Sequence, residues 1–360
     1  MKWVELPGVG DVPEARSSHS LTAVGDVLYV WGGEHAPRVP IGSDMYAYDL
    51  RERAWRKLQT SGTPPCLRNA HAAAAVGDHI YVFGGRSGID IGEGSLKDLH
   101  RFDTASRSWS EVQLAAGSPV PPARSYHAMA ATGGKLYLFG GCGTGSTGRL
   151  NDLWEFDPAA SAWRQLPSSD AIKRAGAPAL ICTGCDVPLC LQGRGGPGFT
   201  ATPGALWVVA GFAGQETNDV HRFDLATETW DCPRCCGVPA QQGNGSACSH
   251  AEAPVELPAR SVCAVAAHAC STCAHANHVV CFGGEVDPST LGHSGAGSFS
   301  NDLFCLDTAC QHWHCVAPAG TPPPPRGWLA ATACAAGVVV HGGNGIDNQR
   351  LADMWLLEMH

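Results

Sequence analysis

One short phrase returns along the whole chain, and it constrains the fold more than any other feature. An apolar run ends in a glycine doublet at Val30-Trp31-Gly32-Gly33, Val82-Phe83-Gly84-Gly85, Leu138-Phe139-Gly140-Gly141, Cys281-Phe282-Gly283-Gly284 and Val340-His341-Gly342-Gly343. A weaker copy reads Val209-Ala210-Gly211. An arginine precedes the phrase by 16 residues at Arg16, Arg68, Arg124, Arg194 and Arg326, and by 23 at Arg260. Further on, an aspartate stands six residues before a tryptophan in Asp49/Trp55, Asp103/Trp109, Asp157/Trp163, Asp224/Trp230 and Asp307/Trp313. Offsets kept this regularly across 360 residues mean that each unit is one supersecondary element stacked on its neighbours.

Within a unit the residues alternate as strands do. Leu28-Tyr29-Val30-Trp31, Ile80-Tyr81-Val82-Phe83 and Leu136-Tyr137-Leu138-Phe139 are β-branched and aromatic runs, each preceded by a Gly-containing turn. Met45–Asp49 and Leu153–Asp157 read as a third strand, and the tryptophan segment as a fourth. Four antiparallel strands per unit make a propeller blade. The residues resemble the kelch repeat, with its arginine, its Gly-Gly and its spaced Asp and Trp. Six arginine starts but five Asp–Trp ends leave the last blade one strand short. Trp3 lies 52 residues before Trp55, the same interval that separates Arg16 from Arg68. Trp3-Val4-Glu5-Leu6 therefore reads as the missing outer strand, closing the ring and covering its open edge. The expected fold is all-β, a six-bladed propeller over 1–360 as a single domain, with blades starting near the six arginines. Residues 171–192, 233–254 and 268–278 lengthen the repeat as loop insertions.

Composition narrows the function classes. Lys+Arg 24 against Asp+Glu 33 gives a net charge of −9 with no basic run, which argues against nucleic acid. No apolar stretch approaches the roughly 18 residues of a membrane helix, so no membrane is expected. The opening Met1–Pro7 lacks an apolar signal region, which points to the cytoplasm or the nucleus. Cysteine is abundant at 17 residues, and in a reducing compartment these read as thiols rather than a disulfide framework. The insertions carry Cys182-x2-Cys185-x4-Cys190, Cys232-x2-Cys235-Cys236-x11-Cys248-x-His250 and Cys270-x2-Cys273-x-His275. Such spacings suit zinc, but the third lies on the opposite face from the other two, and structural zinc is not the expected reading.

Antiparallel geometry puts the loops before each arginine and after each doublet on one face of the disc. Arg16, Arg68, Arg124, Arg194, Arg260 and Arg326 fall there, with Glu34, Arg86 and Glu285 directly after doublets. Two readings stand side by side. The arginines brace neighbouring loops, or Arg16, Arg124 and Arg194 line an anion-binding mouth, since a guanidinium takes carboxylate or sulfate bidentately. Trp328, in Arg326-Gly327-Trp328, reaches the same face, placed to stack on a ligand or to cap its blade. His19, His71 and His127, three residues after their arginines, read as hydrogen-bonding channel residues. Gly143-x-Gly145-x2-Gly148 matches a dinucleotide fingerprint but leads into a strand, with no helix to present to phosphate.

Two phrases go beyond a generic repeat: Gly193-Arg194-Gly195-Gly196-Pro197-Gly198-Phe199 with Trp207–Ala213, and Gly283-Gly284-Glu285-Val286-Asp287-Pro288 with Leu291–Gly297. They resemble the plant nitrile-specifier, epithiospecifier and thiocyanate-forming proteins and their plain plant kelch relatives. That resemblance implies an Fe(II) site of the pattern Glu-x3-Asp-x3-His acting on glucosinolate-type aglycones. Glu285 and His293 match its outer positions, Ser289 stands at the middle, and Asp287 lies two residues early. Arg86 matches the family's substrate-contacting arginine, Trp328 its pocket tryptophan, and Tyr126 a position that carries Phe. The expected function is a binding module whose arginine-bearing face takes a small anionic molecule or a protein segment. The alternative is an Fe(II)-dependent specifier-like lyase.

Overall fold

The computed structural model describes residues 1–88, 94–145, 148–168, 191–233, 255–269, 277–287 and 297–359. The repeats form six antiparallel sheets of four main strands each, blades one to six in chain order. In blade one these are, from the axis outward, Ser20–Val24, Val27–Trp31, Tyr46–Asp49 and Ala54–Lys57. No α-helix occurs among the described residues, and no helix there is long and apolar enough to cross a membrane. Blade six takes three strands from the end of the chain and its outer strand, Lys2–Leu6, from the start. Lys2 pairs with Glu358 and Leu6 with Met354, so the ring closes as the tryptophan interval predicts.

The hydrophobic core is divided into six, one cluster between each pair of neighbouring blades. Blades radiate from an axis, so the gap between them widens outward, and side-chain size must follow it. Alanines crowd the innermost strands, as in Ala72–Val76, while the repeating tryptophans Trp3, Trp55, Trp109, Trp163, Trp230 and Trp313 are buried at the outer strands. The aspartate of the Asp–Trp marker has a local task. Asp49 Oδ1 accepts from the amides of Arg51 and Glu52, and Asp103, Asp157, Asp224 and Asp307 do the same in their blades. Each caps the turn into the outer strand.

The Arg and Gly-Gly spacing is a stitch between blades. The amide of the second doublet residue donates to the carbonyl of the next blade's arginine: Gly33 to Arg68, Gly85 to Arg124, Gly141 to Arg194, Gly211 to Arg260, Gly284 to Arg326 and Gly343 to Arg16. Gly32 shows why the first doublet residue has no side chain. Its φ is +65°, and a Cβ would lie 2.7 Å from the His71 ring of blade two. The 23-residue interval of Arg260 arises in blade five's inner hairpin, Ala264–Ala269 to Asn277–Phe282. Cys263, Cys281 and Cys305 are buried in or beside strands as small apolar groups. The Cys182, Cys235 and Cys270 clusters and most of the three insertions lie outside the described residues.

Candidate functional site at the upper mouth

All six ring arginines are at most 2% exposed. In each, Nε donates to the carbonyl two residues earlier. Nη1 donates to the carbonyl of the first doublet residue, or of Ala210 in blade four, at 2.9–3.2 Å. In four blades an aspartate completes a bidentate clamp at 2.6–2.8 Å: Arg68–Asp98, Arg124–Asp152, Arg194–Asp219 and Arg326–Asp353. Arg124 and Arg194 are thus clamped within the blade walls, Arg16 is equally buried without a clamp, and none of the three is among the residues lining the cavity at the mouth.

The clamp follows a rule that repeat spacing alone does not show. Two residues after each clamping aspartate stands an N–H donor, His100, Trp154, His221 or Trp355, bonded to the same carboxylate at 2.6–2.9 Å. Blades one and five carry Tyr46 and Phe304 at that place. These rings instead take the guanidinium, with Arg16 5.3 Å and Arg260 4.8 Å from the ring centroids. Their aspartates leave: Asp44 pairs with Lys57, and Asp302 accepts from Ser300. Arg260 Nη2 stays buried without a partner. Burial alone would push Asp219 up, but the hydrogen bonds of Arg194 and His221 outweigh it and hold the carboxyl far below the usual range. His221→Phe is therefore expected to cost about 1–3 kcal/mol. In a denaturant double-mutant cycle with Asp219→Asn the two losses should be sub-additive; additive losses would show that the imidazole does not act through the carboxylate.

The mouth is built on the residue two after each arginine. The amides of Ser18, Ala70, Tyr126, Gly196, Val262 and Trp328 donate in turn to the preceding blade's residue, Ser18 to Trp328 closing the circle, at 2.8–3.0 Å. All six have φ between 48° and 57°, and five of them are not glycine. For a β-branched residue such as Val262 that conformation is a strained one, sustained here by the ring. The circle surrounds a cavity of about 130 Å³. Tyr126 and Trp328, from blades three and six, face each other across it by the six-fold order.

Beneath the ring lie His19, His71 and His127. His19 Nε2 meets His341 Nδ1 at 2.8 Å, and His71 Nε2 meets Ser20 Oγ at 3.0 Å. His127 Nε2 lies 3.1 Å from the Phe83 carbonyl, which only accepts, so Nε2 carries the proton and Nδ1 is a bare acceptor. The Nδ1 atoms of all three have no partner. Burial holds all four imidazoles neutral, with His71 and His341 pushed down to about 3.

A second tier is set by the residue after each doublet, bridged to the residue after the arginine: Glu34 to Ser17, Arg86 to Asn69, Glu285 to Ser261 and Asn344 to Gly327. Arg86 is 5% exposed, and its Nε donates to the Gly88 carbonyl. Trp328 is buried and meets Phe299 edge-on at 5.7 Å. Tyr126 is half-buried, and burial raises its hydroxyl pKa. Arg350, missed in the sequence, pairs with Glu34 across blades six and one at 3.1 Å. The two are 316 residues apart, and no local pattern links them.

The iron pattern meets the structure only in part. Glu285 is buried, with Oε1 packed over Gly297, where a Cβ would come within 2.3 Å. Asp287 is exposed, and Ser289 and His293 lie outside the described residues. Among the described residues no three His, Cys, Asp or Glu side chains are grouped to hold a metal. Glu285 and Asp287 by themselves do not fit a three-ligand Fe(II) centre.

The KLHDC2/KLHL20/DRC7 Kelch-repeats domain matches residues 18–255 and 199–360. The chain is 29% identical to the N-(sulfonatooxy)prop-2-enimidothioate sulfolyase of Thlaspi arvense, over 99% of this chain and 96% of that protein. It is 30% identical to human Kelch domain-containing protein 3 over 46% of this chain and 44% of that protein. To the Leucine-zipper-like transcriptional regulator 1 homolog of Drosophila melanogaster it is 27% identical, spanning 92% of this chain but only 30% of that protein.

Proposed function

The chain belongs to the kelch-repeat family, and on that premise we propose that it is a binding module whose upper mouth receives a small anionic molecule or a segment of another protein. One observation carries this reading. Ring closure brings Tyr126 and Trp328, from blades three and six, into the lining of one cavity whose backbone is held in a strained circle, with Arg86 and Glu285 in the tier of bridges around it. Strain of that kind persists where a surrounding structure over-determines it, and it gathers at ligand sites. On this reading Arg86, rather than the ring arginines, meets the anion.

The test is a panel of simple carboxylates and sulfates screened by ligand-observed NMR. Arg86→Ala should weaken the hits at least about tenfold, the loss of one charge-assisted contact. Because Arg86 is buried, the variant should also lose about 1–3 kcal/mol of stability, so folding is checked by its melting curve. Hits that bind a folded Arg86→Ala variant equally well would overturn the reading.

The near full-length similarity to a sulfolyase favours a second reading, a specifier-like reaction on a sulfated thiohydroximate with Fe(II). Anaerobic Fe(II) titration into the parent and Glu285→Gln decides it. Tight binding lost in the variant supports it; no binding in the parent removes it.

A further inference from the structure

Blade five carries cysteine at two places where no other blade does. Three residues after the ring arginine the other blades have His19, His71, His127, Pro197 and Leu329, and blade five has Cys263. Two residues before the doublet, or before its blade-four copy, the others have Val30, Val82, Leu138, Val208 and Val340, and blade five has Cys281.

The fold brings these two thiols together. The hairpin sets Ala264 opposite Phe282 and Val265 opposite Cys281, so the two cysteines are neighbours across it. Both belong to the buried cluster between blades four and five. Cys263 donates a hydrogen bond to Cys281. Cys281 is sealed at 0% exposure, whereas Cys263 is 9% exposed and lines the cavity of about 130 Å³ at the mouth. That volume admits molecules of water or peroxide size. A small oxidant in the mouth therefore meets Cys263 first and reaches Cys281 only through it.

An uncancelled charge stands beside the pair. Arg260 is fully buried, and its Nη2 has no partner because Asp302 accepts from Ser300 instead of clamping it. In blades two, three, four and six the clamping aspartate neutralises the guanidinium. In blade five the charge acts on both thiols and favours a thiolate there. The hydrogen bond from Cys263 and, less, the Arg260 charge hold the Cys281 thiol below its ordinary value although burial opposes them. Cys263, as the donor, is pushed up, so one proton is shared between the two sulfurs.

We propose that Cys263 and Cys281 are a peroxide-sensitive thiol pair in the wall of the mouth, oxidised to a disulfide ahead of the exposed Cys315. This does not depend on what the mouth binds. One proton leaves the pair as it ionises, and the other passes to Cys281. The Cys263 thiolate then attacks one oxygen of hydrogen peroxide. The O–O bond breaks, leaving a sulfenic acid on Cys263 and a hydroxide that takes up the first proton as water. Cys281 attacks the Cys263 sulfur, the S–O bond breaks, and the second hydroxide leaves as water with the Cys281 proton. Two thiols and one peroxide thus give one disulfide and two waters, with two electrons passing from sulfur to oxygen.

The test treats the reduced full chain with hydrogen peroxide, alkylates it under denaturing conditions and maps it by mass spectrometry. Thermolysin suits the digest, since alanines and valines separate the two cysteines. The expected product joins the Cys263 and Cys281 peptides with loss of two hydrogens, at a dose that leaves Cys315 alkylated. Cys281→Ala should leave a sulfenic acid on Cys263 that dimedone traps, and Cys263→Ala should leave the sealed Cys281 unreactive. Phe304→His, which supplies the N–H that His100 and His221 give in their blades, should draw Asp302 onto Arg260. The disulfide should then form up to about tenfold more slowly, the effect of one pKa unit on a thiolate population. A Phe304→His variant that is folded by its melting curve and reacts at the parent rate overturns the part assigned to Arg260. No joined peptide at a dose that already oxidises Cys315, or either cysteine joined to another thiol, overturns the pair.

Discussion

Deleting residues 1–7 lowers the melting temperature by about 10 °C or more and makes the protein aggregate. The strand Lys2–Leu6 adds five paired residues to blade six and buries Trp3 and Leu6 to 3% and 5% exposure. Trp3 packs into the cluster between blades five and six, 4.9 Å from the Phe282 ring, and Leu6 into the cluster between blades six and one. Losing a buried Trp costs about 3–5 kcal/mol and a buried Leu about 2–5 kcal/mol. The deletion also exposes the edge of Arg350–Glu358, a nine-residue strand whose neighbour is gone. Differential scanning calorimetry and light scattering on the truncated chain measure both effects. Trp3→Ala separates them: it keeps the strand, so it should lose stability with less aggregation. An unchanged melting curve for the truncated chain would show that the ring does not depend on this closure.

Stability should also fall steeply as pH drops from 7 to 5, well before the clamping carboxylates are protonated. His19, His71, His127 and His341 are buried and neutral in the fold, with pKa values pushed below the 6.5 of the free side chain. The unfolded chain therefore binds more protons below about pH 6.5. The contribution of these groups is complete above that pH and is lost as pH falls. Each contributes a slope of about 1.4 kcal/mol per pH unit, so four approach about 5 kcal/mol per unit. The clamping carboxylates act in a lower window: with native pKa values below 3.8, Asp219 and Asp353 lose their contribution only under about pH 4. Urea unfolding at pH 8, 7, 6 and 5 gives the slope, and His341→Phe, the residue at that place in blades two, three and five, should reduce it by about one histidine's share. Stability that is flat from pH 8 to 5 would show that these imidazoles are solvated.

Much of this architecture is legible without coordinates because each marker does a local backbone task. Gly-Gly takes up φ values that other residues resist, the Asp of Asp–Trp caps a turn within three residues, and the tryptophan fills a wedge that every blade repeats. Such tasks recur at fixed offsets, so the period exposes them. Blade number, strand order and closure by Trp3 follow from the same arithmetic.

The site is legible only in outline. Arg86, Tyr126, Glu285 and Trp328 can be assigned to one face from strand direction, whereas the fate of the ring arginines cannot. Whether a guanidinium lines a mouth or disappears into a clamp depends on an aspartate 25–30 residues away in blades two to four and six and on one N–H two residues beyond it.

Spacing therefore determined the propeller, its six blades and which loops share a face, because backbone hydrogen bonding and strand alternation are periodic. Tertiary structure alone decided which charges are spent and which remain. His19 meets His341 and Glu34 meets Arg350 at separations of 322 and 316 residues. Such partners are chosen by ring closure, where one side chain's donor or acceptor is matched against a neighbour that no period can name.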